Sequence, residues 1–161
     1  MKKKILFIVI ISLLLTGCVG SKEKISYNQF IEYAAESEFE IQDKTKALKD
    51  PNIKKVILAK KSDEYQIEFY KLKGITEAIY MFNDNRKIFK TSKNETSTYT
   101  YTNLGNYSVY SLTNESYYMY LCRVDNTLLY VKVPIEYKDE IIEFSEKLDI
   151  KKRLIVFFLL I

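Results

Sequence analysis

The sequence predicts an α+β domain: an antiparallel sheet of about five to six strands, a hairpin plus a meander, covered by two to three helices in the order α-ββ-α-βββ-α. Three observations lead there. Apolar residues recur at helical spacing in three separate segments, and between those segments the chain alternates polar and apolar residues as half-buried strands do. The strand-like segments also come in adjacent runs, which suits hairpins better than parallel crossover units. At 161 residues the chain is long enough for one such domain with a real core and short for two.

Ser26 opens the first helix. Its hydroxyl is placed to cap the amide of Gln29 while Gln29 reaches back, and Ile25 and Phe30 stand at the two positions of a hydrophobic staple. Tyr27, Phe30, Ile31 and Ala34 make its apolar stripe, which fades near Ser37. Phe39-Glu40-Ile41 alternates briefly as a short strand, and "DKTKALKDPN" reads as a loop with Pro51 as breaker. Val56–Ala59 and Tyr65–Leu72 predict a hairpin whose second arm buries Tyr65, Ile67 and Phe69 and leaves Gln66, Glu68 and Tyr70 wet. Thr76 is the expected N-cap of a second helix carrying Ile75, Ala78, Ile79, Phe82 and Phe89 on one face. "FKTSKNETSTYT" is polar and loop-like. Alternating, Tyr-rich segments follow at Tyr99–Thr102, Tyr107–Leu112, Tyr117–Val124 and Leu128–Val133, the last three separated by the turn residues Asn114-Glu115 and Asp125-Asn126. Pro134 ends the sheet, and Tyr137, Ile141, Phe144 and Leu148 predict a final amphipathic helix.

The N-terminus precedes this body. Lys2, Lys3 and Lys4 are followed by an apolar run, Ile5–Leu15, that would cover about 16 Å as a helix, roughly half of a bilayer core. That length suits a secretory signal and is too short to span. The motif Leu15-Thr16-Gly17-Cys18 resembles the lipobox of bacterial lipoproteins, with Leu at −3, small residues at −2 and −1, and Cys at +1. The resemblance implies a diacylglyceryl group on the sulfur of Cys18 and cleavage just before it. Residues 1–17 are then a signal peptide, 18–25 a lipidated tether, 26–150 a single domain and 151–161 a basic-apolar tail. The expected location is the outer face of the bacterial cytoplasmic membrane. "YQIEFYKL" and "RVDNTLLYVKV" are also similar to segments of small uncharacterised lipoproteins of Gram-positive bacteria, a resemblance that carries no activity with it.

Charge argues against nucleic acid. Residues 1–17 hold three lysines and no acid, so their removal takes the net charge from +4 to +1; setting aside Lys151, Lys152 and Arg153 as well leaves −2. A near-neutral body lacks the clustered positive field that a phosphate backbone requires. The apolar Leu154–Ile161 covers about 12 Å as a helix and does not span a bilayer. It reads as a peripheral or poorly packed tail, with a buried last segment or a dip into the membrane interface as the alternatives.

No catalytic pattern is legible. There is no His to act as base or ligand, Cys122 has no companions for a zinc site or, once Cys18 is acylated, for a disulfide, and four glycines make no phosphate-cradling loop. No metal or cofactor is expected. Ser21-Lys22-Glu23-Lys24 matches S-x-x-K but lies in the tether without partner motifs. Glu36, Glu38 and Glu40, and Asp139, Glu140 and Glu143, are carboxylate groups that read as solvated faces unless the fold sets two of them across a cleft. Cys122 reads as a buried, inert thiol. The unusual concentration is tyrosine, and Tyr101, Tyr110 and Tyr118 are the candidate binding face, since rigid rings with a hydroxyl stack on sugars or hold a peptide. The expected function is a non-enzymatic, lipid-anchored domain that binds a protein or cell-wall partner near the membrane. A carboxylate-dependent envelope hydrolase or accessory subunit, or a structural envelope protein, is the alternative.

Overall fold

Period-two alternation in the strands decides which side chain meets which layer. In the computed structural model, which describes residues 22–158 with side chains as far as Leu148, the order is α1 (Tyr27–Glu36), β1 (Glu40–Asp43), β2 (Ile53–Lys61), β3 (Tyr65–Leu72), α2 (Ile75–Thr91), β4 (Thr98–Leu104), β5 (Tyr107–Thr113), β6 (Tyr117–Val124), β7 (Thr127–Pro134) and α3 (Lys138–Phe158), with a 3₁₀ turn at Ile135–Tyr137 before α3. The seven strands form one antiparallel sheet in the order β1-β2-β3-β7-β6-β5-β4. The α+β class is as expected; the strand count is seven, not five to six, because the brief alternation after Phe39 makes a full edge strand and all four Tyr-rich segments pair.

Helices cover both faces of the sheet. On one face α1 and α3 pack Phe30, Ala34, Ile141, Phe144 and Leu148 onto Ile57, Ile67, Phe69, Leu129 and Val131. Phe30 stacks on Phe69 at 5.0 Å and meets Phe144 edge-on at 6.2 Å, which joins helix, strand and helix through aromatic contacts. On the other face α2 packs Ala78, Phe82 and Phe89 onto Leu112, Met119, Leu121 and Leu128. Gln66, Glu68 and Tyr70 therefore do not stand in a wet row: they are half-buried, and both Tyr70 Oη and Gln66 Nε2 donate to the Glu68 carboxylate.

Ser26 caps α1 as its sequence predicts. Its Oγ accepts from Gln29 N at 3.2 Å, and Gln29 Oε1 accepts from Ser26 N at 2.8 Å. The start of α2 differs from expectation. Gly74, in extended conformation, is the N-cap and the helix begins at Ile75, before Thr76. The strand is held to its last residues, since Leu72 N donates to Asn126 O and Lys73 N to Asn52 O, so the chain turns into the helix at once. Ile75 and Ile79 are exposed, because the narrow stripe of Ala78, Phe82 and Phe89 alone meets the sheet. The α3 backbone continues as helix through residues 151–158 of the expected tail; residues 159–161, the signal peptide and tether residues 18–21, with Cys18, lie outside the described residues.

Phe69 joins α1 to the centre of the sheet, so Phe69→Ala should cost about 3–5 kcal/mol, read as an earlier urea midpoint. Ser26→Ala, which removes only the cap, should cost about 1 kcal/mol.

Candidate functional site

The two edges of the sheet are built differently. β1 is four residues long and begins and ends on a charge, Glu40 and Asp43, with Asp43 paired to Lys55 at 3.3 Å. β4 is seven residues, Thr98-Tyr99-Thr100-Tyr101-Thr102-Asn103-Leu104, with no charge and no proline, and every residue but the half-buried Thr102 is exposed. Charge, proline and shortness are the usual ways of blunting a sheet edge, and β4 uses none. Its outer side is the last in the sheet.

Alternation sends Tyr99 and Tyr101 to the face that α2 covers, opposite Leu112 and Tyr110. The rings lie along the flank of the helix, half-exposed at 57% and 46%. Cations from α2 and the residues after it sit over them: the Arg86 guanidinium 4.4 Å from the Tyr101 ring centroid and Lys93 Nζ 3.1 Å from that of Tyr99. Phe82 stacks beneath Tyr101 at 6.5 Å. The result is a strip of two tyrosines and two cations beside an open strand edge. Among the described residues no strand pairs with the outer side of β4, so the strip presents π-faces, phenol hydroxyls, positive charge and backbone groups at once, a combination suited to binding.

Tyr101, Tyr110 and Tyr118, the predicted binding face, do not share a surface. Only Tyr101 is exposed. Tyr110 is its cross-strand neighbour on the same face but is fully buried beneath α2. Tyr118 points to the opposite face and is buried with the α1–α3 core. Arg86, Lys93 and Tyr99 are the members that the sequence reading missed. The signal was present: Arg86 is four residues from Phe82 and three from Phe89, so it borders the stripe that meets the sheet.

The other candidates are dispersed. Glu36, Glu140 and Glu143 border one open cleft between α1 and α3, with Ser37, Phe39, Phe144 and Lys147. Lys61 Nζ lies 3.6 Å from Glu140 and donates to Ser37 O, and Lys147 pairs with Glu143 at 2.6 Å. The hydrogen bond from Lys147 holds the Glu143 carboxyl below the usual carboxylate range, the reverse of what a general acid needs. Glu38 and Glu40 are not part of this cleft. Cys122 is half-buried rather than buried, lining a small cleft with Ile25, Tyr120, Ser145 and Leu148. Among the described residues, no group of three or more His, Cys, Asp or Glu side chains is placed to hold a metal ion.

Arg123 is a buried cation on the α2 face. Its Nε and Nη2 donate to Ser108 Oγ, and its Nη1 to the carbonyls of Asn106 and Asp125. Burial pushes its pKa down. Its contacts tie the β4–β5 turn to the β6–β7 turn, a structural role that fixes where β4 ends.

Replacing each predicted tyrosine by Ser should separate site from core. Tyr110→Ser and Tyr118→Ser should each cost about 3 kcal/mol or more, whereas Tyr101→Ser should cost under about 1 kcal/mol, all measured by chemical denaturation. The buried phenols also set a pH limit. Burial raises Tyr110 and Tyr118; burial and the neighbouring Glu68 raise Tyr70; burial and the neighbouring Glu140 raise Tyr65. A phenol whose folded pKa lies above its unfolded value stabilises the fold fully below that unfolded value. Stability should therefore hold to about pH 10 and fall above it, with phenolate absorbance appearing together with unfolding. Compared with protein-family models, with curated proteins and with solved structures, the chain matches none.

Proposed function

We propose that the protein is a lipid-anchored lipoprotein of the outer face of the bacterial cytoplasmic membrane. Its domain binds a protein partner through the β4 edge and the Tyr99–Tyr101 strip. The observation that carries the binding reading is the contrast between the two sheet edges: a long, neutral, exposed β4 backed by stacked cations, and a short, charged β1. An edge of this kind accepts an extended segment by backbone pairing, while the tyrosines and cations select its side chains. The paired carboxylates of the α1–α3 cleft support a non-enzymatic role over the hydrolase alternative.

The lipid anchor rests on the lipobox-like Leu15–Cys18. Metabolic labelling with an alkynyl fatty acid should mark the wild-type chain and not Cys18→Ala; labelling of both would overturn the anchor. For the binding face, a photo-crosslinking residue at Tyr101 should capture one protein in intact cells, whereas the same residue at Tyr27, on α1, should not. Equal capture from both positions, or capture of cell-wall glycan alone, would overturn it.

A further inference from the structure

The two ends of the sheet carry opposite charge. One end holds the connections 22–26, 44–52, 73–74, 105–106 and 125–126. Together these contain six lysines, Lys22, Lys24, Lys44, Lys46, Lys49 and Lys73, against Glu23, Asp50 and Asp125. The other end holds 37–39, 62–64, 92–97, 114–116 and 135–137. These contain six carboxylates, Glu38, Asp63, Glu64, Glu95, Glu115 and Glu136, against Lys93 alone. Sequence order hides this polarity, because each end is assembled from five separated connections.

Both chain exits lie at the basic end. Lys22 N donates to Asn106 Oδ1 at 2.9 Å, and Asn106 Nδ2 donates back to Lys22 O at 2.7 Å, so the N-terminal segment is clamped to the β4–β5 turn. Lys24 Nζ reaches Asn126 in the β6–β7 turn. The stretch from Cys18 to the clamp at Lys22 reaches at most about 14 Å when extended. α3 starts beside the acidic end, after Pro134, and by Leu148 it borders the same cleft as Lys22, Ile25 and Val124. Its backbone runs on to Phe158, about 15 Å further, through Lys151, Lys152 and Arg153 and the apolar residues 154–158. Leu48, in the lysine-rich 44–52 connection, is an exposed apolar side chain at this end.

We infer that the basic end is a docking surface for an anionic lipid bilayer, which it meets directly, beyond the attachment at Cys18. The inference rests on the membrane location proposed above. Each lysine near an anionic leaflet adds about 1 kcal/mol of attraction, and the carboxylates of the far end are kept away from that field. The sheet then stands on the membrane with β4 running along the bilayer normal, and its open edge faces sideways, clear of the lipid. No described helix is long and apolar enough to cross a membrane.

The test uses the full chain carrying Cys18→Ala, so that no acyl group contributes, and vesicles of phosphatidylcholine with and without phosphatidylglycerol. Phosphatidylglycerol should strengthen binding, and the combined Lys44→Glu, Lys46→Glu and Lys49→Glu should weaken it by about tenfold or more. Charge reversal of Asp63, Glu64 and Glu115 to Lys should not weaken it. In a Cys122→Ser background, a fluorophore on Ala47→Cys should be quenched by lipid-borne quencher and one on Asp63→Cys should not. Equal binding to both vesicle types, or equal quenching at the two positions, would overturn the docking surface even where fatty-acid labelling upholds the anchor. Selective quenching at position 47 in a chain that cells do not acylate would uphold the surface and overturn the anchor.

Discussion

Five residue pairs, from Ile67↔Val131 to Lys71↔Thr127, are all that joins β1–β2–β3 to β7–β6–β5–β4 within the sheet. Every other strand pairing is between neighbours in sequence and closes a short connection. The β3–β7 pairing must instead bring together segments separated by α2 and three strands, and that loop-closure entropy is offset only by burial on both faces. Each strand accordingly places side chains in both layers: Phe69 and Leu129 under α1 and α3, Leu72 and Leu128 under α2. Register here is strongly specified, because a slip of one residue would move Ile67 and Phe69 from the α1–α3 layer to the α2 layer and strand Glu68 in the opposite core.

That register explains what could be read in advance. The capping box at Ser26 and Gln29, the helical stripe ending at Leu148 and the alternation of Tyr65, Ile67 and Phe69 are local patterns, and each is realised in the fold. The second helical layer was not legible in the same way. Whether Gln66, Glu68 and Tyr70 face water depends on where α2 lands, and that is decided by the β3–β7 pairing across the whole second half of the chain. The tyrosines failed as a group for the same reason. Alternation says that Tyr101 and Tyr118 occupy pleated positions; only the pairing Tyr101↔Tyr110, and that of Thr113 with Tyr118, shows that two lie on one face and the third on the other. Exposure of Tyr101 follows from β4 being an edge, a property of strand order that no local pattern encodes.

The charge polarity is a still less local property. In sequence the lysines of "KTKALK" and the carboxylates of "SDE" look like ordinary loop solubilisation. An antiparallel sheet sends alternate connections to opposite ends, so a basic bias in three connections at one end and an acidic bias in four at the other sum to a net field along the strands. Such a field does little for fold stability, since exposed charges at these separations are screened by solvent and salt. Its natural effect is orientation near a charged surface. The clamp between Lys22 and Asn106 adds a mechanical constraint to the electrostatic one, because it fixes where the N-terminal segment meets the sheet.

Orientation and partner choice then become linked. With the basic end against lipid, as proposed, the β4 edge would be held at a fixed angle and a short distance from the bilayer, with Lys93 and Tyr99 toward the outer end of the strand and Leu104 toward the membrane. A partner strand that pairs with β4 must therefore approach parallel to the bilayer normal, which restricts candidates to segments near the membrane that extend outward from it. Fixing the edge in the proposed orientation would lower the orientational entropy lost on association, so an edge of seven residues would capture a membrane-proximal segment more readily than the same edge on a freely tumbling domain.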